Sequence, residues 1–405
     1  MTTSQGYRHG TSGYRRVVWS LFAAGLATFT LLYSTQALLP DFTERFGVSS
    51  EASTLSISLT TLGLGIGLLV AGPLSDVVGR TRLIHLSLAA SVLAGTASAL
   101  APTWTWLLVL RFVAGVVLAG LPAVATAYLR EEVHSLSQGR AAGLYIGGTA
   151  MGGMSGRLVA GLGAEVGGWR WGIGATVLVA LACAVLVRVA LPPSRGFHAA
   201  PGKPGQLLAM TGRALSDPAL LALYAIGGCS LGALVAVFNA VGFRLTQAPF
   251  GLGLGAASLV FLVYPLGSIS SVYFGRLADI RGRRAVIPVG AGIAILGVLL
   301  TLPDVLPLVV LGLAVLVIGF FAVHGIASGW VPLRAHAGGV SAGQAASLYL
   351  FTYYLGSSVF GTLAGFAWTH AHWPGVAALA TTLLAATAVL TRVLRKTPSL
   401  VPGRS

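Results

Sequence analysis

Two arginines stand inside long apolar stretches, where a charged side chain is costly and is commonly retained for a function. Arg111 lies in LLVLRFVAG, and Arg157 follows the glycine-rich run GGTAMGGMSG. A guanidinium binds carboxylates and phosphates through paired hydrogen bonds, so both residues are candidates for an anion-binding or coupling site. The alternative is a structural ion pair, for which Asp41 and Glu165 are the acids closest in depth.

Two side-chain amides, Gln36 and Asn239, occur in apolar stretches that are 203 positions apart. A buried amide is costly unless it is partnered. The two residues are therefore predicted either to line a polar cavity or to form hydrogen bonds between helices. Tyr33, three residues before Gln36, belongs to the same polar segment of its helix.

Further candidate site residues are aromatic. Tyr349 and Tyr353 are one helical turn apart and share a helix face, which forms either a wall for a ligand or ordinary core. His324 is the one imidazole deep in an apolar run, and its alternative role is that of a hydrogen-bonded packing residue. Tyr264 lies in an apolar run that also contains serines.

Enzyme chemistry is not indicated. All ten acidic residues fall in loops or at the ends of apolar runs, and the histidines are not clustered. An enzyme embedded in the membrane would need a catalytic acid, a metal cluster or a nucleophile with its base. We therefore expect no enzymatic activity, no metal site and no cofactor.

The elements that position these residues are membrane-spanning helices. Only 9% of the residues are charged, 55% are apolar and the mean hydropathy is +0.85. A helix needs about 20 apolar residues to cross a bilayer, and twelve such runs occur, here numbered helices 1 to 12. Their predicted bounds are 17–39, 54–73, 83–101, 105–129, 142–164, 171–191, 219–241, 255–275, 286–302, 306–327, 342–366 and 374–394.

A charged turn with the sequence GPLSDVVGRTR begins at Gly72, and a second copy, GRLADIRGRRA, begins at Gly275. The copies are offset by 203 positions in a chain of 405 residues, so the sequence predicts two tandem copies of one plan. The predicted divisions are a first six-helix bundle over 1–191, a linker over 192–218 and a second six-helix bundle over 219–405.

The net charge of +15 is explained by topology. Arg45, Arg170 and Arg244 lie on one side of the predicted membrane, Arg111 and Arg157 lie within spans, and the other 20 of the 25 basic residues lie on the side of both termini. The positive-inside rule places that side in the cytoplasm of a bacterial-type inner membrane. We expect a multi-pass monomer in the lipid bilayer that binds a small molecule and no nucleic acid.

The motifs resemble those of one family. GPLSDVVGRTR resembles the motif between helices 2 and 3 of the major facilitator superfamily, and RFVAG resembles the helix 4 motif of its drug:proton antiporters. GLYIGGTAMGGMSGR is similar to the glycine-rich antiporter motif in helix 5, but it lacks the proline that usually follows the central glycine. The resemblance covers nearly the whole chain and is closest to twelve-helix bacterial drug or sugar efflux permeases.

This resemblance implies an all-α membrane fold of two pseudo-symmetric six-helix bundles that rock about a central site. It implies secondary active transport, with proton-coupled efflux of a small organic solute as the leading function. Arg111 matches the family's helix 4 arginine, which is linked to proton coupling, whereas helix 1 lacks the family's embedded acid unless Asp41 serves. The alternative is uptake of an anionic metabolite that uses Arg111 and Arg157.

The resemblance also implies gates. In the family, the aspartate of the turn motif engages the start of helix 11, which matches Asp76 beside Arg80 and the capping residue Ser341. The second copy, with Asp279 and Arg283, would face the start of helix 5. For the opposite side, we expect Asp41 and Arg244 to close against each other.

Overall fold

The computed structural model describes residues 6–197 and 204–398, and for residues 204–209 it describes the backbone alone. In these residues, twelve helices cross the bundle. Lys203, Arg404, part of the predicted linker and the final residues of the second bundle lie outside the described residues. The bounds of helices 1 to 10 are Ser12–Phe46, Ser50–Val78, Arg80–Ala99, Trp104–Glu132, Ser135–Gly167, Trp169–Ala190, Pro218–Thr246, Leu254–Arg281, Arg283–Leu300 and Leu306–Ala337.

Helices 11 and 12 lie within Ala342–Lys396 and are separated by a kink at His372, whose φ is 48°. By length and composition, ten described segments could cross a membrane, one of which contains both of these helices. Helix 5 falls outside that set because its glycines and Arg157 make it less apolar. The predicted all-α membrane fold with twelve helices is confirmed.

Helix 1 is broken, which its apolar sequence does not reveal. Its first part, Ser12–Leu32, ends in a turn, and a short 3-10 helix then leads into Leu39–Phe46. The sequence predicts a helix end at Pro40 and Asp41, and this prediction is wrong. Pro40 lies in the first turn of Leu39–Phe46, where a missing N–H costs nothing, and Gly47 ends that segment at a φ of 63°.

The predicted linker contains a helix, Pro204–Ser216. After it, Asp217 caps helix 7 by accepting a hydrogen bond from the backbone N–H of Ala219 at 2.8 Å, and it binds Arg334 of helix 10 at 2.9 Å. Burial raises the pKa of the Asp217 carboxyl, but the hydrogen bonds from Arg334 and from the backbone outweigh this effect, so its pKa lies below the usual value. The ion pair ties the start of helix 7 to its own half.

The two copies of the charged turn have the same conformation. Gly79 joins helices 2 and 3 with a φ of 99°, and Gly282 joins helices 8 and 9 with a φ of 85°. A residue with a side chain rarely adopts these angles, so the glycine is required at both positions. The tandem plan expected from the sequence is therefore present in the backbone.

The two halves meet along only part of their depth. We call the end of the bundle where helix 1 begins at Ser12 the terminal face, and the opposite end, with the turns at Gly47 and Gly168, the distal face. Ser58 of helix 2 and Thr362 of helix 11 are hydrogen-bonded at 2.9 Å between the halves.

Nearer the distal face, Glu165 of helix 5 accepts a hydrogen bond from the backbone N–H of Gly255 in helix 8 at 2.8 Å. Near the terminal face, in contrast, a Cβ added at Gly72 or Gly275 would find no atom within 4 Å. The hydrogen bonds between the halves therefore lie from mid-depth to the distal face, whereas space is open beside these two glycines near the terminal face.

Close packing of helix 1 against helix 5 depends on a glycine stripe in helix 5, formed by Gly148, Gly152 and Gly156. A Cβ at Gly152 would lie 2.5 Å from the carbonyl oxygen of Leu26, which is backbone and cannot move aside. The other two glycines are equally close to carbonyl oxygens of helix 1. Small residues at this spacing allow two membrane helices to approach closely.

We expect Gly152→Ala to lower the free energy of unfolding by about 1–3 kcal/mol, because an added methyl group overpacks the contact. Thermal unfolding of the detergent-solubilised protein measures the change. Gly143→Ala is the matched control, since nothing lies within 4 Å of its added Cβ. Equal effects of the two substitutions would contradict this account of the helix 1–helix 5 contact.

Candidate functional site

The guanidinium of Arg157 lies at the centre of the protein and is only 1% exposed. Its Nη1 donates a hydrogen bond to the carbonyl oxygen of Gly153 at 2.6 Å, and its Nε donates to Oε1 of Gln36. Helix 5 supplies the arginine and the carbonyl, and the irregular part of helix 1 supplies the amide. The break in helix 1 thus places Gln36 within reach of Arg157.

Gln36 and Asn239 form a direct hydrogen bond between the two halves. Nε2 of Gln36 donates to Oδ1 of Asn239 at 2.6 Å, and Nδ2 of Asn239 donates to the carbonyl oxygen of Gly361 at 3.1 Å. The chain of hydrogen bonds from Arg157 through Gln36 and Asn239 therefore joins helices 5, 1, 7 and 11. Of the two roles open to these amides from the sequence, hydrogen bonding between helices is the one seen here.

Three aromatic rings surround the Arg157 cation. Its Cζ lies 3.9 Å from the ring centroid of Tyr33, 4.3 Å from that of Tyr264 and 5.2 Å from that of Phe261. Phe261 belongs to a 3-10 segment of helix 8, which ends just before Tyr264. Cation–π attraction strengthens when the partners are desolvated, so the rings stabilise a charge that is removed from water. The residues Arg157, Tyr33, Phe261 and Tyr264, with Gln36 and Asn239, are called the central cluster below.

No acid neutralises the central cluster. Among the described residues, none of the salt bridges includes Arg111 or Arg157. Glu165 binds the start of helix 8, and Asp41 accepts a hydrogen bond from the backbone N–H of Trp169 at 2.7 Å. The idea that Asp41 or Glu165 pairs with a buried arginine is therefore wrong for this conformation, because a helix N-terminus attracts each carboxylate instead.

Arg111 serves a different purpose from Arg157. It is fully buried, and its Nη2 donates hydrogen bonds to the carbonyl oxygens of Leu31 at 3.1 Å and Leu32 at 2.9 Å. Its other nitrogens reach the Ser34 hydroxyl and the Ser56 carbonyl oxygen. The break in helix 1 leaves carbonyl groups without helical partners, and Arg111 satisfies them. All three guanidinium nitrogens are thus engaged within the first half.

The aromatic candidates of the second half form one cluster. Nδ1 of His324 is 3.0 Å from the Tyr349 hydroxyl, and the His324 ring centroid is 4.6 Å from that of Tyr353. Tyr349 and Tyr353 stack with their centroids 6.0 Å apart, which agrees with the shared helix face read from their spacing. His324 therefore acts as a hydrogen-bonded packing group between helices 10 and 11 here.

The residues of the charged turns lie apart from the opposite half. Asp76 forms a salt bridge with Arg80 at 2.7 Å, and Arg80 also binds Glu131 at 3.1 Å. Ser341 caps helix 11 by accepting a hydrogen bond from the Gln344 backbone N–H at 3.4 Å, without contacting Asp76.

In the second copy of the turn, Asp279 and Arg283 are in no salt bridge of the described chain. The contacts expected across the terminal face are thus not made in this conformation.

Asp41 and Arg244 are not brought together at the distal face. Arg244 binds Asp304 at 2.9 Å and carbonyl oxygens at the end of helix 9, while Asp41 caps helix 6. Each side chain has nearer partners within its own half, which sequence position alone cannot show. At the distal face, the Glu165 carboxylate instead contacts the backbone N–H of Gly255 in the other half. In the sequence, only the position of this acid at the end of an apolar run, and a glycine-rich turn before helix 8, could indicate the contact.

Arg111→Met should lower the free energy of unfolding by about 2–4 kcal/mol, because the buried Leu32 carbonyl group loses its hydrogen bond from Arg111 and the Leu31 carbonyl group keeps only the one from Ser34. The readout is denaturation of the purified protein in detergent. Arg170→Met is the matched control, since Arg170 is exposed and donates to one carbonyl oxygen. If Arg111→Met were as stable as the wild type, Arg111 would not be needed to satisfy the carbonyl groups at the break in helix 1.

Comparisons with known proteins agree with this architecture. Residues 20–359 match the sequence profile of the Major Facilitator Superfamily. The chain is 41% identical over 379 residues to the uncharacterized MFS-type transporter YybF of Bacillus subtilis (strain 168), covering 93% of each chain. It is 38% identical over 394 residues to the inner membrane transport protein YnfM of Escherichia coli (strain K12), covering 97% of this chain and 94% of YnfM.

A solved structure shares the fold. The crystal structure of a bacterial homolog to the human lysosomal transporter Spinster, inward-facing and unoccupied, superposes with a TM-score of 0.70 at 16% identity, covering 95% of this chain and 96% of that one. At that identity the likeness concerns the fold alone. Together with the sequence profile and the two relatives, it shows that the chain belongs to the Major Facilitator Superfamily and is a membrane transporter, not an enzyme.

Proposed function

We propose that this protein exports a small organic solute across a bacterial inner membrane in exchange for protons, by alternating access. One observation carries the proposal: in the described residues, the hydrogen bonds between the halves lie at the central cluster, at mid-depth and at the distal face. In the cycle that we propose, solute enters from the terminal face while the distal face is closed. Reversal of the closed and open faces would release it on the other side.

The terminal face is the cytoplasmic face in this proposal. The support is the distribution of Lys and Arg, of which 20 lie on that side and three on the other. The relative YnfM, described as an inner membrane transport protein, supports the same location. The conformation seen here is then open to the cytoplasm, as an exporter needs in order to load its solute.

The two faces offer the same kind of gate. At the distal face, the Glu165 carboxylate binds the N-terminus of helix 8 across the halves. At the terminal face, Asp76 is paired with Arg80 and does not contact the N-terminus of helix 11 at Ser341. We propose that Asp76 reaches helix 11, and Asp279 with Arg283 faces the start of helix 5, when the terminal face closes.

Glu165 is our proposed distal gate. Its carboxylate joins the halves by accepting a hydrogen bond from the backbone N–H of Gly255 at the start of helix 8. This contact must break before the distal face can open and release solute outward.

A second candidate function is uptake of an anionic metabolite. The observation that favours it is the positive charge of Arg157 without a neighbouring acid, together with rings of Tyr33 and Tyr264 that could stack on a planar solute. Arg111 gives it no support, because all its nitrogens are engaged. Both candidates share a central cluster that suits neutral or anionic solutes and disfavours cations.

Transport in everted membrane vesicles tests the proposal. We expect an organic anion or neutral solute from a panel of candidates to collapse a preformed pH gradient, and Arg157→Gln to slow this response by about tenfold or more, because it removes a charge that no other group supplies. Arg170→Gln, which removes an exposed charge at the distal face, should respond as wild type does.

The outcome also separates the two candidates. Gradient collapse on addition of solute to everted vesicles indicates export coupled to protons, whereas accumulation of an anion by intact cells indicates uptake. A response to organic cations alone, or full activity of Arg157→Gln, would contradict the assignment of the central cluster. The thermal unfolding of each variant is measured alongside, so that loss of fold is recognised.

A further inference from the structure

We propose that a basic groove between helices 3 and 6 at the terminal face binds the phosphate of an anionic glycerophospholipid. The groove has a volume of about 520 Å³ and is separate from the central cluster. Its basic lining residues are Arg82, His85 and Arg188, and its apolar ones include Leu86 and Leu191. It is called the helix 3–helix 6 groove below.

The three basic residues line the same groove from two helices. Arg82 and His85 are three positions apart in helix 3 and therefore lie on one side of it. Arg188 is in the last turn of helix 6, which runs antiparallel to helix 3 and ends at the same face. A phosphodiester entering the groove would thus meet guanidinium groups from two helices, and guanidinium is the side chain best suited to phosphate.

The charges of Arg82 and Arg188 are unpaired within the described residues. In the described part of the chain, neither Arg82 nor Arg188 forms a salt bridge, and both residues are exposed. Arg80, two residues before Arg82, differs because it binds both Asp76 and Glu131. These two neighbouring acids are therefore already engaged, and the guanidinium groups of the groove are open to an anion from outside the chain.

An exposed apolar surface continues from the groove toward the distal face. On helix 3 it includes Leu86 and Leu93, which are 61% and 70% exposed, and on helix 6 it includes Val185 and Leu181. In a bilayer these side chains contact acyl chains. The groove thus offers a charged site at the depth of the headgroups and an apolar path below it, which fits a phospholipid better than a free phosphate.

The groove also contacts the start of the linker between the halves. Thr81, another lining residue, accepts a hydrogen bond from the Ser194 backbone N–H at 3.0 Å, and the Tyr128 hydroxyl donates to the Pro192 carbonyl oxygen at 2.8 Å. A lipid phosphate held by Arg82 and Arg188 would lie beside this junction. The site is independent of the transported solute and of the direction of transport.

Native mass spectrometry of the detergent-purified full chain tests the proposal, with phosphatidylglycerol and phosphatidylcholine of equal acyl chains as probes. We expect one phosphatidylglycerol to bind at least about fivefold more tightly than phosphatidylcholine, and the double variant Arg82→Gln/Arg188→Gln to lose about fivefold in affinity for each arginine removed. Arg281→Gln/Arg392→Gln is the matched control, since it removes two exposed arginines from the terminal face of the other half.

Three results would overturn the proposal. Equal binding of the two lipids would show that no anion site exists or that the linker of the chain itself fills the groove. Equal losses in the double variant and its control would show that only the overall surface charge attracts the lipid. Displacement of phosphatidylglycerol by millimolar inorganic phosphate, with no effect of Leu93→Gln on lipid binding, would assign the groove to a soluble anion.

Discussion

A buried guanidinium without a carboxylate partner governs how the two halves of this transporter come together. Removing the charge of Arg157 from water costs several kcal/mol unless other groups replace the lost hydration. Here the replacement comes from the carbonyl oxygen of Gly153, from the amide of Gln36 and from the faces of Tyr33 and Tyr264. Tyr264 belongs to the second half, so both halves contribute to stabilising the buried charge of Arg157.

The same requirement accounts for the irregular part of helix 1. A continuous helix 1 would not present Gln36 in its present position, and its break creates a second requirement, which Arg111 meets by binding the freed carbonyl groups. Two buried arginines therefore have complementary roles. Arg157 joins the halves, and Arg111 maintains the shape of helix 1 that makes this possible.

Much of this architecture could be predicted from the sequence, because hydropathy and the repeat offset depend on local composition. Twelve helices, the tandem turns and the equal depth of Gln36 and Asn239 follow from run lengths and from the offset of 203 positions. The positions of the helices beside one another within the bundle cannot be predicted from run lengths and the repeat offset. Asp41 and Arg244 share a depth but lie beside different helix ends, and the Glu165 contact depends on where helix 8 begins.

The Gln36–Asn239 hydrogen bond joins the halves at the central cluster, and distances between spin labels at the distal face test directly whether this bond keeps that face closed. Labels at Leu100 and Val305, which are 72% and 47% exposed, report the separation of the halves. Gln36→Leu and Asn239→Leu should each increase the open population, and the double variant should do little more than Gln36→Leu alone, because the hydrogen bond between the halves, worth about 1 kcal/mol, is lost in every variant. Independent, additive effects or an unchanged distance distribution would contradict the account.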